Sequence, residues 1–95
     1  MSSFTTRVLL RGNPEESEYD TLHKAMVNKG FSKIIESDEG VQYNLPHAEY
    51  NISGDYTRSE VLSLAKDAVR SLPSRTAEIL VTESNGRTWS NLQRL

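Results

Sequence analysis

Apolar and polar residues alternate along Phe4–Arg11, Ala48–Ser53 and Ala77–Thr82, a pattern typical of half-buried β-strands. Phe31–Ser37, with the β-branched pair Ile34 and Ile35, is a fourth stretch rich in strand-forming residues. Between them, apolar residues recur with the 3.6-residue period of amphipathic helices, first from Pro14 to Lys29 and then over Ser59–Leu72. The order strand, helix, strand, strand, helix, strand predicts an α+β, ferredoxin-like βαββαβ sandwich. We expect a four-stranded antiparallel sheet, with both helices on one face and the other face open.

Capping signals place the ends of both predicted helices. Asn13-Pro14-Glu15-Glu16 has the form of a capping box with proline at the first helical position, and Gly30 is suited to end that helix at a positive φ. Thr57-Arg58-Ser59-Glu60 is a second capping box, and Pro73 ends the second helix. Its buried stripe is expected to contain Leu62, Leu64 and Val69.

Turn residues predict how the strands connect. Asp38-Glu39-Gly40 indicates a hairpin, and Leu45-Pro46 interrupts its return because proline cannot donate to a central ladder. Asn85-Gly86 is a type I′ turn signal that allows a short fifth strand through Trp89.

Composition limits the classes of function. A length of 95 residues predicts a single domain over 1–95, and a net charge of -2 confines any surface for nucleic acid to a local patch. The absence of cysteine excludes disulfides and thiolate metal sites. No apolar run approaches the ~20 residues of a membrane span, and the N-terminus lacks the layout of a signal peptide. We therefore expect a cytoplasmic protein without a membrane partner.

Arginines on the first strand suggest where such a patch could lie. Arg7 and Arg11 fall on the strand parity that faces away from the helices, and Arg75 stands at the entry to the last strand. Guanidinium groups bind phosphate oxygens well, so these three residues are predicted to bind RNA. An exposed strand also carries arginines for solubility alone.

Histidine is the natural candidate for proton transfer, because it titrates near neutrality. His47 follows Pro46 in a predicted exposed loop and is the candidate catalytic residue, whereas His23 borders the buried stripe of the first helix and is expected to pack there. The two histidines lack metal-ligand spacing. Arg11-Gly12-Asn13 occupies the strand end where metal-dependent nucleases of similar topology carry an aspartate. We expect neither a metal nor another cofactor.

Several turn, cap and core residues in the middle of the chain occur together in a recognisable order. They are Gly30-Phe31-Ser32-Lys33-Ile34-Ile35, Gly40, Tyr50-Asn51-Ile52, Ser59-Glu60-Val61 and Leu72-Pro73. Through these residues the chain resembles the GhoS family of small bacterial antitoxins, from about Phe4 to Glu83. The resemblance implies a ferredoxin-like fold and an endoribonuclease that cleaves the messenger RNA of a small membrane toxin, in a type V toxin–antitoxin system. No catalytic motif is carried over with it.

Two hypotheses follow for the function. The first is an antitoxin-like endoribonuclease for single-stranded RNA that uses His47 with Arg7, Arg11 and Arg75. The second is a non-enzymatic interaction or regulatory module, of the kind that phages and plasmids also encode. In that module, Leu9 and Leu80 on the open sheet face contact a partner or form a homodimer.

Overall fold

The chain forms an α+β structure of two helices and five strands in a computed structural model that describes residues 2–95. The elements in order are β1 (Ser2–Leu10), α1 (Glu16–Asn28), β2 (Ile34–Glu36), β3 (Gln42–Asn44), β4 (Glu49–Gly54), α2 (Arg58–Val69) and β5 (Ala77–Ser84). The α+β class agrees with the prediction, but the chain has one strand more than the predicted βαββαβ order before α2, because Gln42–Asn44 and Glu49–Gly54 form two separate strands.

The main sheet has three antiparallel strands in the order β4-β1-β5, and β2 pairs with β3 in a separate hairpin. The predicted four-stranded sheet is therefore not formed. The segment before β2 meets β4 only at Ser32, which exchanges two backbone hydrogen bonds of 2.7 Å with Asn51. The Ser32 hydroxyl then accepts a hydrogen bond from Ile34 N at 3.0 Å, which turns the chain away from β4. Leu45 N donates to Lys33 O at 2.7 Å and extends the hairpin pairing instead.

The predicted fifth strand after Asn85-Gly86 is also absent from the structure. A type I′ turn needs positive φ at both central residues, but Asn85 is not among the residues of positive φ. Residues 85–95, here called the C-terminal segment, instead run back to β3. There Asn44 N donates to Gln93 O at 2.9 Å, and Leu95 N donates to Gln42 O at 3.1 Å. The sheet face that was expected to be open is thus partly covered.

Alternation along β1 places its inward side chains in the core, as predicted. These side chains are Phe4, Thr6, Val8 and Leu10, each at most 5% exposed. Helix α1 packs on them through Leu22 and Met26. The expected stripe on α2 is only partly confirmed, because Leu64 and Val69 pack half-buried against the core and Leu62 is half-buried, while the fully buried residues of the helix are Val61, Ala65 and Ala68.

The ends of the helices follow the capping rules with one correction. The first helical residue is Glu16 and its N-cap is Glu15, not Asn13, because the Glu18 carboxylate accepts a hydrogen bond from Glu15 N at 3.0 Å. At the other end Gly30 has a φ of 97°, as predicted. Its N–H donates to Val27 O and the N–H of Phe31 donates to Met26 O, which together form a Schellman motif. Helix α2 begins with the predicted capping box of Thr57 and Glu60.

One polar group in the core leads to a stability prediction. The Thr6 hydroxyl is fully buried and has no hydrogen-bond partner among residues 2–95. Replacing it with a methyl group of similar size removes the cost of that burial, so Thr6→Val is expected to raise the free energy of unfolding by about 1 kcal/mol. Chemical denaturation measures the change. Thr82→Val, at an exposed position, is the control and should change stability by less than about 0.5 kcal/mol. A destabilised Thr6→Val variant would contradict this assignment.

Candidate functional site

Arg7 and Arg11 lie on the sheet face away from the helices, here called the outer face. Their side chains are 51% and 64% exposed. Each has one carboxylate nearby, at 3.7 Å from Arg7 to Glu49 and at 3.6 Å from Arg11 to Glu78. Exposed ion pairs of this kind contribute little energy, so both guanidinium groups remain accessible to an anion.

Arg75, the third predicted RNA-binding residue, does not join them. Its Nε and Nη2 donate to the two carboxylate oxygens of Glu18 at 2.6 and 2.7 Å, and its Nη2 also donates to Asn13 O at 3.3 Å. The hydrogen bonds from Arg75 hold the pKa of Glu18 at about 2. These bonds join the start of β5 to the start of α1, so the structure does not bring Arg75 together with Arg7 and Arg11.

His47 is exposed in the loop between β3 and β4, as expected. Its ring packs edge-on against the ring of Tyr19, with 4.4 Å between the centroids. The Tyr19 hydroxyl accepts a hydrogen bond from Leu10 N at 3.0 Å, which ties this aromatic ring to the end of β1. His47 therefore rests on a fixed surface while its imidazole stays open to solvent.

His23 lies beside this pair, half-buried at the border of the core as expected. It is four residues after Tyr19 on α1, so both side chains project from the same helix face. Its Nδ1 forms a hydrogen bond with the hydroxyl of Tyr50, and Nε2 has no partner among residues 2–95. Burial lowers the pKa of His23, with further lowering from the charges of Lys33 and His47, so the imidazole is neutral at pH 7. Burial also raises the pKa of the Tyr50 hydroxyl, which stays protonated.

Lys33 fixes the loop that carries His47. Its ammonium group donates to Pro46 O at 2.6 Å and to Glu49 O at 2.9 Å, on either side of His47. It also lies 5.1 Å from the centre of the Tyr50 ring, within the range of a cation–π interaction. Five residues from four parts of the chain thus form what is here called the histidine cluster. They are Tyr19, His23, Lys33, His47 and Tyr50.

A further arginine, which the sequence did not single out, lies over the outer face. Arg87 in the C-terminal segment donates through Nε and Nη2 to the hydroxyl of Thr5 at 3.2 and 2.9 Å, and through Nη2 to the Asn51 side chain. Burial lowers its pKa, yet no carboxylate of residues 2–95 lies within 4.0 Å of it. Its Nη1 donates no hydrogen bond within the part of the chain that the structure describes. Arg87 is thus a half-buried cation with a donor available for an anion.

A cleft of about 390 Å³ lies beside Arg87, between the C-terminal segment and the sheet. Its apolar walls come from Ile35, Leu45, Pro46, Trp89 and Leu92. Pro46 immediately precedes His47, so the cleft and the histidine cluster lie on either side of one short loop. Glu49 also lines the cleft, next to Arg87. An indole, a free guanidinium donor and an apolar floor suit a planar base, with its phosphate on the Arg87 side of the cleft.

Comparisons with other proteins assign no family to the chain. No protein-family model matches it, and a search of curated protein sequences finds no match. No group of three or more histidine, aspartate or glutamate side chains in residues 2–95 is placed to hold a metal ion. Neither helix of the described chain is long and apolar enough to cross a membrane.

The bond between Arg75 and Glu18 leads to a pH-dependent prediction. A carboxyl group whose pKa is lower in the folded than in the unfolded protein stabilises the fold at pH values above its ordinary pKa. For Glu18 the ordinary pKa is 4.5, and the stabilisation is lost as the pH falls toward about 2. Arg75→Gln should therefore destabilise the protein at pH 7 and have a much smaller effect near pH 2. Denaturation of both proteins across this pH range measures the difference. Arg70→Gln, which breaks an exposed ion pair with Asp67, should have little effect at either pH. An Arg75→Gln effect that does not depend on pH would contradict the assignment.

Proposed function

We propose that the protein is a metal-independent endoribonuclease that binds and cleaves single-stranded RNA in the bacterial cytoplasm. The histidine cluster carries this proposal, because it brings two imidazoles in unlike environments to one edge of the sheet. The resemblance to the GhoS antitoxins supports it and suggests the messenger RNA of a small toxin as the substrate.

The arrangement of the strands supports a ferredoxin-like fold, as that family implies. In such a sandwich two strand–helix–strand units share one sheet. Here β1, α1 and the Ser32 segment form one unit, and β4, α2 and β5 form the other. The bridge between Ser32 and Asn51 sets the Ser32 segment beside β4, where a fourth strand would lie. We infer that the protein is a ferredoxin-like domain whose fourth strand is reduced to this bridge.

Two imidazoles are sufficient for cleaving RNA without a metal. A general base removes the proton from a ribose 2′-hydroxyl, which attacks the adjacent phosphorus atom and forms a bond to it. A general acid gives a proton to the 5′-oxygen that leaves, so the products end in a 2′,3′-cyclic phosphate and a 5′-hydroxyl. His23 is neutral at pH 7 and suits the base, acting through Nε2 when Nδ1 donates its proton to the Tyr50 oxygen. His47 is open to solvent and suits the acid.

RNA is proposed to reach this cluster along a basic stripe of Arg87, Arg7 and Arg11 on the outer face. Arg87 is hydrogen-bonded to the Thr5 side chain, so its guanidinium group lies beside position 5 of β1. The other two guanidinium groups project from positions 7 and 11. Intervals of two and four strand residues correspond to about 7 and 13 Å. Arg7 pairs with Glu49, two residues after His47, so the stripe passes beside the proposed catalytic edge.

Removing charge from the stripe tests RNA binding. Arg7→Ser with Arg11→Ser should weaken binding of a single-stranded RNA and lower the slope of log K against log salt by nearly two units, because two phosphate contacts are lost. The matched control is Arg58→Ser with Arg70→Ser, which removes the same charge from α2 on the other layer. Fluorescence anisotropy at several salt concentrations measures both variants. Equal losses in the two variants would mean that net charge, and not the stripe, binds RNA.

Replacing each histidine tests the chemistry. His47→Ala and His23→Gln should each reduce cleavage of a mixed single-stranded RNA pool by about 100-fold or more, with EDTA present and with binding retained. The wild-type rate should fall as the pH drops below 6.5 toward the lowered pKa of His23, because the base becomes protonated. Gel-resolved cleavage and anisotropy on the same samples separate catalysis from binding. Full activity in either variant would remove that histidine from the proposed mechanism.

One observation favours the alternative, a non-enzymatic interaction module. Leu80 is 63% exposed on the outer face, and the neighbouring Leu9 is half-buried, so the two form an apolar strip. Such a strip suits a protein partner. Wild-type protein that neither binds nor cleaves the RNA pool would favour this alternative over the nuclease.

A further inference from the structure

Strand β5 leaves one edge of the main sheet unpaired. Successive residues of an antiparallel strand point their backbone groups alternately to its two sides. Arg11 N donates to Thr76 O at 2.9 Å, one residue pair beyond Leu10 and Ala77. By alternation, Glu78, Leu80 and Thr82 bond to β1, while Ala77, Ile79, Val81 and Glu83 direct their N–H and C=O groups outward. No backbone hydrogen bond from another part of residues 2–95 reaches these outward groups.

This edge lacks most of the features that usually prevent association, and its only charged residues are Glu78 and Glu83. The strand is eight residues long and contains no proline, lysine or glycine. Natural edge strands are commonly short, bulged or interrupted by lysine or proline, because an unpaired edge is a template for another strand. Leu80, in the middle of the edge, is 63% exposed. A free edge with an exposed leucine at its centre is typical of a surface that pairs with a further strand.

We propose that β5 pairs antiparallel with β5 of a second copy of this chain, about a twofold axis at Leu80. The outward-directed N–H and C=O groups belong to the odd-numbered residues of each strand. These groups can bond across the interface only if an odd-numbered residue lies opposite an odd-numbered residue of the partner. With the axis at Leu80, Ile79 lies opposite the partner's Val81, and Ala77 lies opposite the partner's Glu83. About eight backbone hydrogen bonds then form along almost the whole strand.

The side chains favour this register over its neighbours. Leu80 lies opposite the partner's Leu80, and Glu78 lies opposite the partner's Thr82, so no like charges meet. Moving the axis to Ile79 shortens the pairing and sets Leu80 opposite the partner's Glu78. An axis at Glu78 would oppose two carboxylates. With Leu80 on the axis, the strand avoids both of these arrangements and keeps four hydrogen-bonded residue pairs.

Such a dimer is independent of the proposed nuclease activity and compatible with it. The strand order becomes β4-β1-β5 followed by the same three strands of the partner in reverse, so the outer faces join into one surface. The histidine cluster lies at β4, on the opposite side of β1 from β5, and is left uncovered.

Cysteine cross-linking tests the register directly, because the native chain contains no cysteine. Residues on the axis belong to a non-hydrogen-bonded pair with Cα atoms about 4.5 Å apart, which permits a disulfide. Leu80→Cys should therefore form a covalent dimer under mild oxidation, measured on a non-reducing gel. Glu78→Cys is the control, since two copies of residue 78 would be about 13 Å apart in this register. Cross-linking of Glu78→Cys to the same extent, or none in Leu80→Cys, would overturn the register.

The native association is tested by light scattering across a range of protein concentrations. The wild-type mass should rise toward twice the monomer mass as concentration increases. Leu80→Lys places two like charges on the axis at an exposed position and should remain monomeric while still folded. Leu95→Lys is the matched control, because Leu95 is 60% exposed and lies outside β5, and it should dimerise as the wild type does. A wild type that stays monomeric, or a Leu80→Lys variant that still dimerises, would overturn the proposal.

Discussion

Successive peptide groups of β1 point alternately to its two sides, and the rest of the structure is arranged around that strand. Val8 N bonds to Ala48 O on the side of β4, and Arg11 N bonds to Thr76 O on the side of β5. The inward side chains of the same strand form the floor of the core, on which both helices pack. Because β1 bonds on both sides and packs on one face, its outer face, which the C-terminal segment covers in part, is left for other contacts. The basic stripe lies on that face.

The histidine cluster follows from how β1 and β4 are joined. The bond from Val8 to Ala48 holds the start of β4, and Ala48 adopts a φ of 70°, an unfavourable conformation for a residue with a side chain. Lys33 bonds to the carbonyl groups of Pro46 and Glu49 around this turn. His47 is therefore held against α1, where Tyr19 and His23 share a face. Backbone bonding, the ammonium group of Lys33 and the packing of the His47 ring on Tyr19 together bring the two imidazoles to the same edge.

Local signals in the sequence predicted several features that depend on interactions between residues close together in the chain. The β1 alternation, the Thr57 capping box and the Schellman end at Gly30 all depend on neighbouring residues, and all were confirmed. Two local predictions were nevertheless wrong, the Asn13 cap and the Asn85-Gly86 turn. The other features that the sequence did not reveal depend on distant contacts. Arg75 was expected to bind phosphate because nothing in the sequence relates it to Glu18, which is far away along the chain. His23 had a local signal, its spacing of four residues from Tyr19, but its partner Tyr50 comes from another strand. Arg87 could not be identified while the C-terminal segment was predicted to form a hairpin.

The chemical nature of the RNA ends tests the central claim most directly, since it reports on the mechanism rather than on one residue. Single-stranded RNA is incubated with the wild-type protein in the presence of EDTA, and the termini of the fragments are analysed by mass spectrometry. Proton transfer by the histidine cluster predicts fragments that end in a 2′,3′-cyclic phosphate and begin with a 5′-hydroxyl. Fragments with a 5′-phosphate and a 3′-hydroxyl, or the absence of cleavage by well-folded protein, would contradict it.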